Sequence, residues 1–390
     1  MSKSIAILGS TGSIGQNTLR VIDSLNSVGE ERYEVLALTG HSNVELLASQ
    51  VRKYRPKIVA ITRGDLVEQL NKLVGGSGVE ILGGSESLEM VAQLESVDTV
   101  VTAVVGAAGL GAVLAAAKKG KRLAIANKEP LVIAGELLMK AAKENGAEIL
   151  PIDSEHSAIF QSLASGSLSE VERIILTTSG GPFREKSLED IADVTLEQAL
   201  AHPTWDMGPK ITVDSATMMN KALEVIEARW LFETEVAKIE VLVHPESIVH
   251  SLVEFVDGSV IAQLGRPDMC LPIQYALSYP RRVKGISHRL NLDELGKLTF
   301  AKPNVEVFRS LALGFEVAKT GGTAAAVFNA ANEQAVAEFL DSNIKFSDIV
   351  ELIEECLSRH SVKREVCLAE LLEADAWARE TVKENIKSKK

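Results

Sequence analysis

Two acids, Asp153 and Glu155, flank Ser154 where an apolar run, Ala147-Glu148-Ile149-Leu150, gives way to Asp153-Ser154-Glu155-His156. Carboxylates this close repel unless something positive sits between them. If the chain stays extended here, both point to one side and make half of a site for a hard divalent cation. The competing account is ordinary: Ser157 caps a helix beginning near Ala158, and the acids form surface ion pairs. A second constellation lies in Val213–Trp230. Met218, Leu223, Val225 and Ile226 have the spacing of a core-packed helix, and Asn220, Lys221 and Glu224 share one face, continued by Glu227. With Ser215 and Thr217 expected at the helix start, where free N–H groups favour an anion, this segment offers a phosphate site at one end and a metal ligand further along. The ordinary explanation is a solvated Lys–Glu pair, worth a few tenths of a kcal/mol.

Two loops add to this set. Thr178-Ser179-Gly180-Gly181 follows the strand-like Ile174–Thr177, with glycines that permit close backbone approach. His202-Pro203-Thr204-Trp205-Asp206-Met207-Gly208-Pro209-Lys210 places a large indole in a Pro/Gly loop. Trp205 there is read either as part of a lid that closes on ligand or as an anchor of its own loop.

The elements that must position these groups begin at Ile5–Leu8. That run leads into Gly9-Ser10-Thr11-Gly12-Ser13-Ile14-Gly15 and then a helix with Leu19, Val21, Ile22 and Leu25 on one face. Strand, glycine turn and helix open a dinucleotide-binding unit, with the pyrophosphate on the helix N-terminus. The next strand, Glu34–Leu38, ends in Thr39-Gly40-His41-Ser42-Asn43. The ribose-binding acid of NAD sites, ~20 residues past the glycines, is missing, which favours NADP. Strands at 58–61, 99–105 and 122–126 alternate with helices and imply a parallel doubly wound sheet. Asn127-Lys128-Glu129 leaves the carboxyl end of the last, where ligands bind in such sheets.

The chain has 390 residues, 46% hydrophobic and 24% charged, with a net charge of −12. That charge argues against nucleic-acid or membrane-surface binding, which needs a basic face. Apolar runs fall short of the about 20 residues that span a bilayer. Strand-like sequence starts so close to Met1 that no leader peptide is expected. Three cysteines, Cys270, Cys356 and Cys367, lack metal-ligand spacing and suit a reducing cytoplasm.

End to end, the sequence resembles the 1-deoxy-D-xylulose 5-phosphate reductoisomerase family. GSTGSIG, ANKE, DSEHSAIFQ, SGGPF, HPTWDMGPKITVDSATMMNK, LEVIEA and HPESIVHS occur in the family's order. The resemblance implies that Asp153, Glu155 and Glu224 bind Mg²⁺ or Mn²⁺, with Glu227 only an alternate. It implies substrate contacts from Lys128, Ser154, Glu155, Ser179, His202, Trp205, Ser215, Asn220, Lys221 and Glu224, of which Lys128, Glu155 and His202 are the catalytic candidates. Thr11, Gly12, Ser13, Ile14, Gly40, Asn43, Asn127, Glu129 and Gly208 are implied at NADPH. The chain departs from the family's usual residues at His41 and Ser42, at Pro130 and at Cys270.

The expected architecture is α/β: a Rossmann-like NADP-binding domain (1–150), an α/β catalytic and metal-binding domain (151–283), a linker (284–312) and a C-terminal helical bundle (313–390), closing in a frayed tail at 387–390. The expected activity is isomerisation and NADPH-dependent reduction of a sugar phosphate, by a cytoplasmic homodimer whose middle-domain sheets meet. A metal-free NADP dehydrogenase of a small aldehyde or hydroxy acid is the alternative, and a non-catalytic NADP sensor a remoter one. Neither gives Asp153, Glu155 and Glu224 a joint role.

Overall fold

A computed structural model describes residues 2–29, 31–205 and 207–389; Asp206 of the Trp205 loop lies outside the described residues. The chain forms two compact units. The first comprises Met1–Pro130, Glu136–Ser157 and Asp268–His288; the second comprises Leu131–Gly135, Ala158–Pro267 and Arg289–Lys390.

The first unit is built on a seven-stranded, wholly parallel sheet: β1 (Ser2–Leu8), β2 (Arg32–Gly40), β3 (Ile58–Ile61), β4 (Glu80–Gly83), β5 (Thr99–Thr102), β6 (Arg122–Ile125) and β7 (Glu148–Pro151). Its order, β4-β3-β2-β1-β5-β6-β7, reverses direction between β1 and β5, the switch point at which such folds bind nucleotides. Ile5, Ala6, Ile7 and Leu8 of β1 are buried, as a strand covered on both faces requires. The helix Ser13–Val28 buries Leu19, Val21, Ile22 and Leu25, the stripe its sequence predicts. β4 carries no clear signal because it is a short edge strand with partly exposed side chains. The strand expected over 99–105 stops at Thr102, since the chain must turn away through Gly106 at φ +75°.

The second unit holds a mixed sheet in the order β11-β10-β8-β9, from β8 (Val171–Thr178), β9 (Ile239–Val243), β10 (Val249–Phe255) and β11 (Val260–Leu264). The helices Met219–Leu231, Arg309–Thr320, Ala324–Leu340, Phe346–Arg359 and Leu368–Lys389 complete it. Of the four strands only β8 stands out in the sequence. In β10 the apolar pattern is broken by His250 and Ser251, both buried.

These units cut the chain differently from the expected segments. Helix Cys270–Ser278, expected in the catalytic domain, packs against helix Ser13–Val28 in the first unit, burying Cys270, Ile273, Ala276 and Leu277. Residues 313–390 fall in the second unit together with its sheet. Gly314 sits so close to the Met219–Leu231 helix that a Cβ there would lie 2.6 Å from that of Ala222. The expected frayed tail is helical as far as Lys389.

Candidate active site

In the first unit the glycine turn is shaped by close backbone approach. A Cβ on Gly9 would lie 2.4 Å from the Ala103 carbonyl, and one on Gly15 would lie 2.3 Å from the Gly9 carbonyl. Gly12 is the N-cap of the helix that follows. No side chain caps it and no acid occupies its first turn, so its N–H groups stay available to an anion. Thr11, Gly12, Ser13 and Ile14 line this turn. β2 ends at Gly40, and His41 bonds Thr62 Oγ1 through Nδ1 at 2.7 Å. Asn43 caps the helix Val44–Tyr54, its Oδ1 accepting from the Leu46 N–H at 3.1 Å. Beyond β6, Asn127 is 8% exposed, and neither its Nδ2 nor its Oδ1 has a partner among the described residues. A buried amide with both functions open fits a ligand carboxamide such as that of nicotinamide. Glu129, also buried, opens the helix Glu129–Asn145.

Asp153 follows β7, and its main-chain carbonyl accepts from the Ser157 N–H at 2.8 Å. The helix therefore begins at Ser154, four residues earlier than expected, and Ser157 is inside it rather than its cap. Asp153 and Glu155 are arranged by a helix start, not by an extended strand. The Lys128 ammonium donates to Asp153 Oδ2, and His156 Nδ1 lies 3.4 Å from the same oxygen. Burial alone would push the Asp153 carboxyl up; Lys128 and His156 outweigh it and hold the group well below the usual carboxylate range. Positive charge at Asp153 thus comes partly from the chain itself. Ser154 Oγ donates to Glu155 Oε2. His156, fully buried, stands beside the acids in the sequence but is given no role there, because nothing local distinguishes it from a helix-surface residue.

In the second unit β8 delivers Ser179, followed by Gly180 and Gly181 at φ +79° and +68°. Gly181 presses on the next site segment: a Cβ there would lie 2.6 Å from the Ser215 carbonyl oxygen. His202 joins this group. Its Nδ1 accepts from the Thr204 and Trp205 N–H groups at 3.1 and 2.9 Å, so Nδ1 carries no proton. The proton is on Nε2, which faces Ser179 Oγ at 3.1 Å. Burial, with the Arg184 charge added, lowers the His202 pKa and keeps the ring neutral. Arg184 was missed, although it stands just beyond the SGGPF stretch. Trp205 is half-buried, its ring centroid 6.5 Å from that of His250.

Ser215 does not begin a helix as expected. It lies in the last turn of the helix Pro209–Ala216, and the chain then turns through Met218, at φ +62°, into Met219–Leu231. Asn220 Nδ2 donates to Glu224 Oε1 at 2.6 Å and Lys221 Nζ to Glu224 Oε2. The pair is not solvated: the Lys221 and Glu224 side chains are 2% and 0% exposed. Burying such a pair costs several kcal/mol of desolvation per ion, so it is poorly explained by stability. Glu227 is buried beside it in sequence, and Gly208 caps Pro209–Ala216 at the end of the Trp205 loop. The structure thus gathers Ser179, His202 and Ser215 around one turn and Asn220, Lys221 and Glu224 on one helix. Glu224 and Gly208 belong to the second unit, whereas Asp153, Glu155 and the other expected cofactor residues belong to the first.

Comparison with known proteins bears on this arrangement. Residues 5–135 match the family model for 1-deoxy-D-xylulose 5-phosphate reductoisomerase, and 149–232 and 264–381 match the models of its C-terminal domains. The reductoisomerase of Pelodictyon phaeoclathratiforme is 52% identical over 98% of this chain and 100% of its own. That of Ruminiclostridium cellulolyticum is 47% identical over 99% and 100%. Among solved structures, the Zymomonas mobilis enzyme in complex with NADPH is 42% identical with a TM-score of 0.92, covering 100% of both chains. A reductoisomerase in complex with NADPH, fosmidomycin and magnesium is 42% identical with a TM-score of 0.93, covering 99% of this chain and 98% of that one. With relatives of this identity along almost its whole length, the chain belongs to the 1-deoxy-D-xylulose 5-phosphate reductoisomerase family.

Proposed function

We propose that the chain isomerises 1-deoxy-D-xylulose 5-phosphate and reduces the product with NADPH to 2-C-methyl-D-erythritol 4-phosphate, using Asp153, Glu155 and Glu224 as ligands of a divalent cation. The observation that carries the assignment is the buried Lys221–Glu224 pair, with Asn220 donating to the same carboxylate, a charged group kept inside at a cost stability does not explain. Three hard carboxylate ligands suit Mg²⁺ or Mn²⁺. The open Asn127 amide and the uncapped helix after Gly12 suit NADPH.

When bound, the cation supplies Lewis-acid stabilisation of negative charge on the substrate's oxygens, and NADPH supplies the hydride. The chain's own residues do the rest. Ser179, Ser215, Asn220 and Lys221 hold the phosphate, whose binding positions the reacting carbons. His202 donates from Nε2 to substrate in place of Ser179, because its Nδ1 is committed to the loop backbone. Lys128 polarises a substrate oxygen or relays a proton to it, and Ser154 donates to substrate. Closure of the Trp205 loop excludes water from the aldehyde. Thr11, Gly12, Ser13, Ile14, Gly40, Asn43, Asn127, Glu129 and Gly208 hold NADPH.

We further propose a cytoplasmic homodimer, with residues 313–390 as helical support. Edge strand β11, with Val260 and Leu264 exposed, supports sheet-to-sheet pairing. Free Cys270, Cys356 and Cys367 are consistent with a reducing compartment. No described helix is long and apolar enough to cross a membrane. The decisive assay is NADPH oxidation with 1-deoxy-D-xylulose 5-phosphate, with and without a chelator. Turnover that survives exhaustive chelation would favour the metal-free dehydrogenase instead.

A further inference from the structure

The stretch Asn329-Ala330-Ala331-Asn332-Glu333 reads as the polar face of a packed helix, yet Asn329 and Asn332 are both 0% exposed. Asn332 Nδ2 donates to Asp214 Oδ1 at 2.9 Å. Asp214 is itself buried, and its other oxygen lies 2.7 Å from Lys210 Nζ. Asn332 Oδ1 has no partner among the described residues. The amide orientation is nonetheless determined, because the flipped side chain would press its oxygen on a carboxylate. A buried amide with a single bond, and that bond to a buried anion, is costly as packing alone.

The gripped segment is the one that carries Ser215. Asp214 precedes Ser215 on the helix Pro209–Ala216, and Lys210 pairs with it from the first turn of the same helix. A second clasp secures the turn beyond it. Ser310, fully buried, donates from Oγ to the Thr217 carbonyl. Thr217 Oγ1 in turn accepts from the Met219 N–H at 3.3 Å, just ahead of Asn220 and Lys221. Two C-terminal helices, Arg309–Thr320 and Ala324–Leu340, therefore hold the short helix and the turn from either side of Ser215, all within one compact unit.

We infer that Asn332 is a positioning residue for substrate binding. Acting through Asp214, and together with the Ser310 clasp, it places Ser215 and the start of the Met219–Leu231 helix for the substrate phosphate. This rests on the proposal that Ser215 and Lys221 hold that phosphate. Asn332, Asp214 and Ser310 are assigned no contact with substrate; they act through the segment they hold.

The test compares full-length N332A, N332D, S310A, the exchanged pair D214N/N332D, and S215A as control. KM for 1-deoxy-D-xylulose 5-phosphate, KM for NADPH, kcat and Tm are measured well below each variant's unfolding range. N332D sets two carboxylates against each other and should raise substrate KM ~10-fold or more, the scale of a small misplacement. KM for NADPH should stay unchanged. D214N/N332D restores one donor and one acceptor to the same hydrogen bond and should recover most of the loss, as coupled neighbours do. N332A and S310A should shift substrate KM in the same direction, so the inference stays testable if N332D fails to fold. Variants that lower Tm while leaving substrate KM at the wild-type value, with S215A raised, would overturn the inference alone. A flat S215A would remove the phosphate assignment and the inference with it.

Discussion

At the scale of single residues, the site depends on groups whose charge is unusual for their surroundings. Lys221 is buried against Glu224, so its removal acts twice. It deletes the only cation on that helix face between Asn220 and Glu227, and it leaves a buried carboxylate that still accepts from the Asn220 amide. Lys221→Ala should raise KM for the phosphorylated substrate strongly and cost about 3–5 kcal/mol of stability, the penalty of breaking a buried pair. Ser215→Ala should raise KM less, since a charge-assisted contact is worth about twice a neutral one. Steady-state kinetics with urea unfolding on both variants check this; an unchanged KM for Lys221→Ala would assign the ammonium to Glu224 alone. His202 gives a pH test. Its folded pKa is lowered by burial and by Arg184, below the unfolded value of ~6.5. Between those two values the unfolded chain binds more protons than the folded one, so stability rises with pH there and is lost as pH falls through the window. His202→Asn keeps an acceptor for the Thr204 and Trp205 N–H groups and does not titrate. Wild type should therefore lose stability relative to this variant as pH drops below ~6.5; parallel urea midpoints would show that His202 is not the titrating group.

At the scale of elements, two turns carry the chemistry. Between Gly9 and Gly15 the backbone approaches so closely that side chains are excluded at two positions. Between Ala216 and Met219 a reversal through Met218 separates two helices where the sequence suggests one. The loop leading into the first of these helices is fixed at His202 by two backbone hydrogen bonds, and its indole is only half-buried. Trp205→Ala should accordingly lower kcat/KM for the sugar phosphate with little change in folding. A loss of ~1 kcal/mol would move Tm by about 2–4 °C. Differential scanning calorimetry beside kinetics separates the two roles: a much larger fall in Tm would make Trp205 an anchor for its loop rather than a lid.

At the scale of the whole molecule, Glu224 belongs to the second compact unit, while the nucleotide turn lies wholly in the first. Glu224→Gln and Asp153→Asn should therefore lose nearly all turnover, with partial recovery at high metal concentration, and keep near-normal NADPH affinity. Each substitution preserves shape and one acceptor oxygen but removes the charge a hard cation requires. Calorimetric titration of Mg²⁺ and of NADPH on each variant checks this; wild-type metal affinity in both would make the carboxylates structural. How much of this was legible beforehand follows from the range of the forces involved. Periodicity and glycine spacing are local, so β1, the helix after it and the parallel alternation of the first sheet were readable from sequence. The absence of an acid after β2 was equally local, and the carboxylates, Lys221 and the glycine loops could be singled out by type. Weak local signals failed at β4, an exposed edge, at the short β9 and β11, and at β10, where His250 and Ser251 interrupt the apolar pattern. Tertiary structure alone decided what depends on burial and distant partners. It moved the helix start to Ser154, put Ser215 at a helix end, and took the Lys221–Glu224 pair out of water. It also turned Asn332 inward onto Asp214. No pattern within a few neighbouring residues specifies whether a polar side chain will meet solvent or a partner more than a hundred positions away.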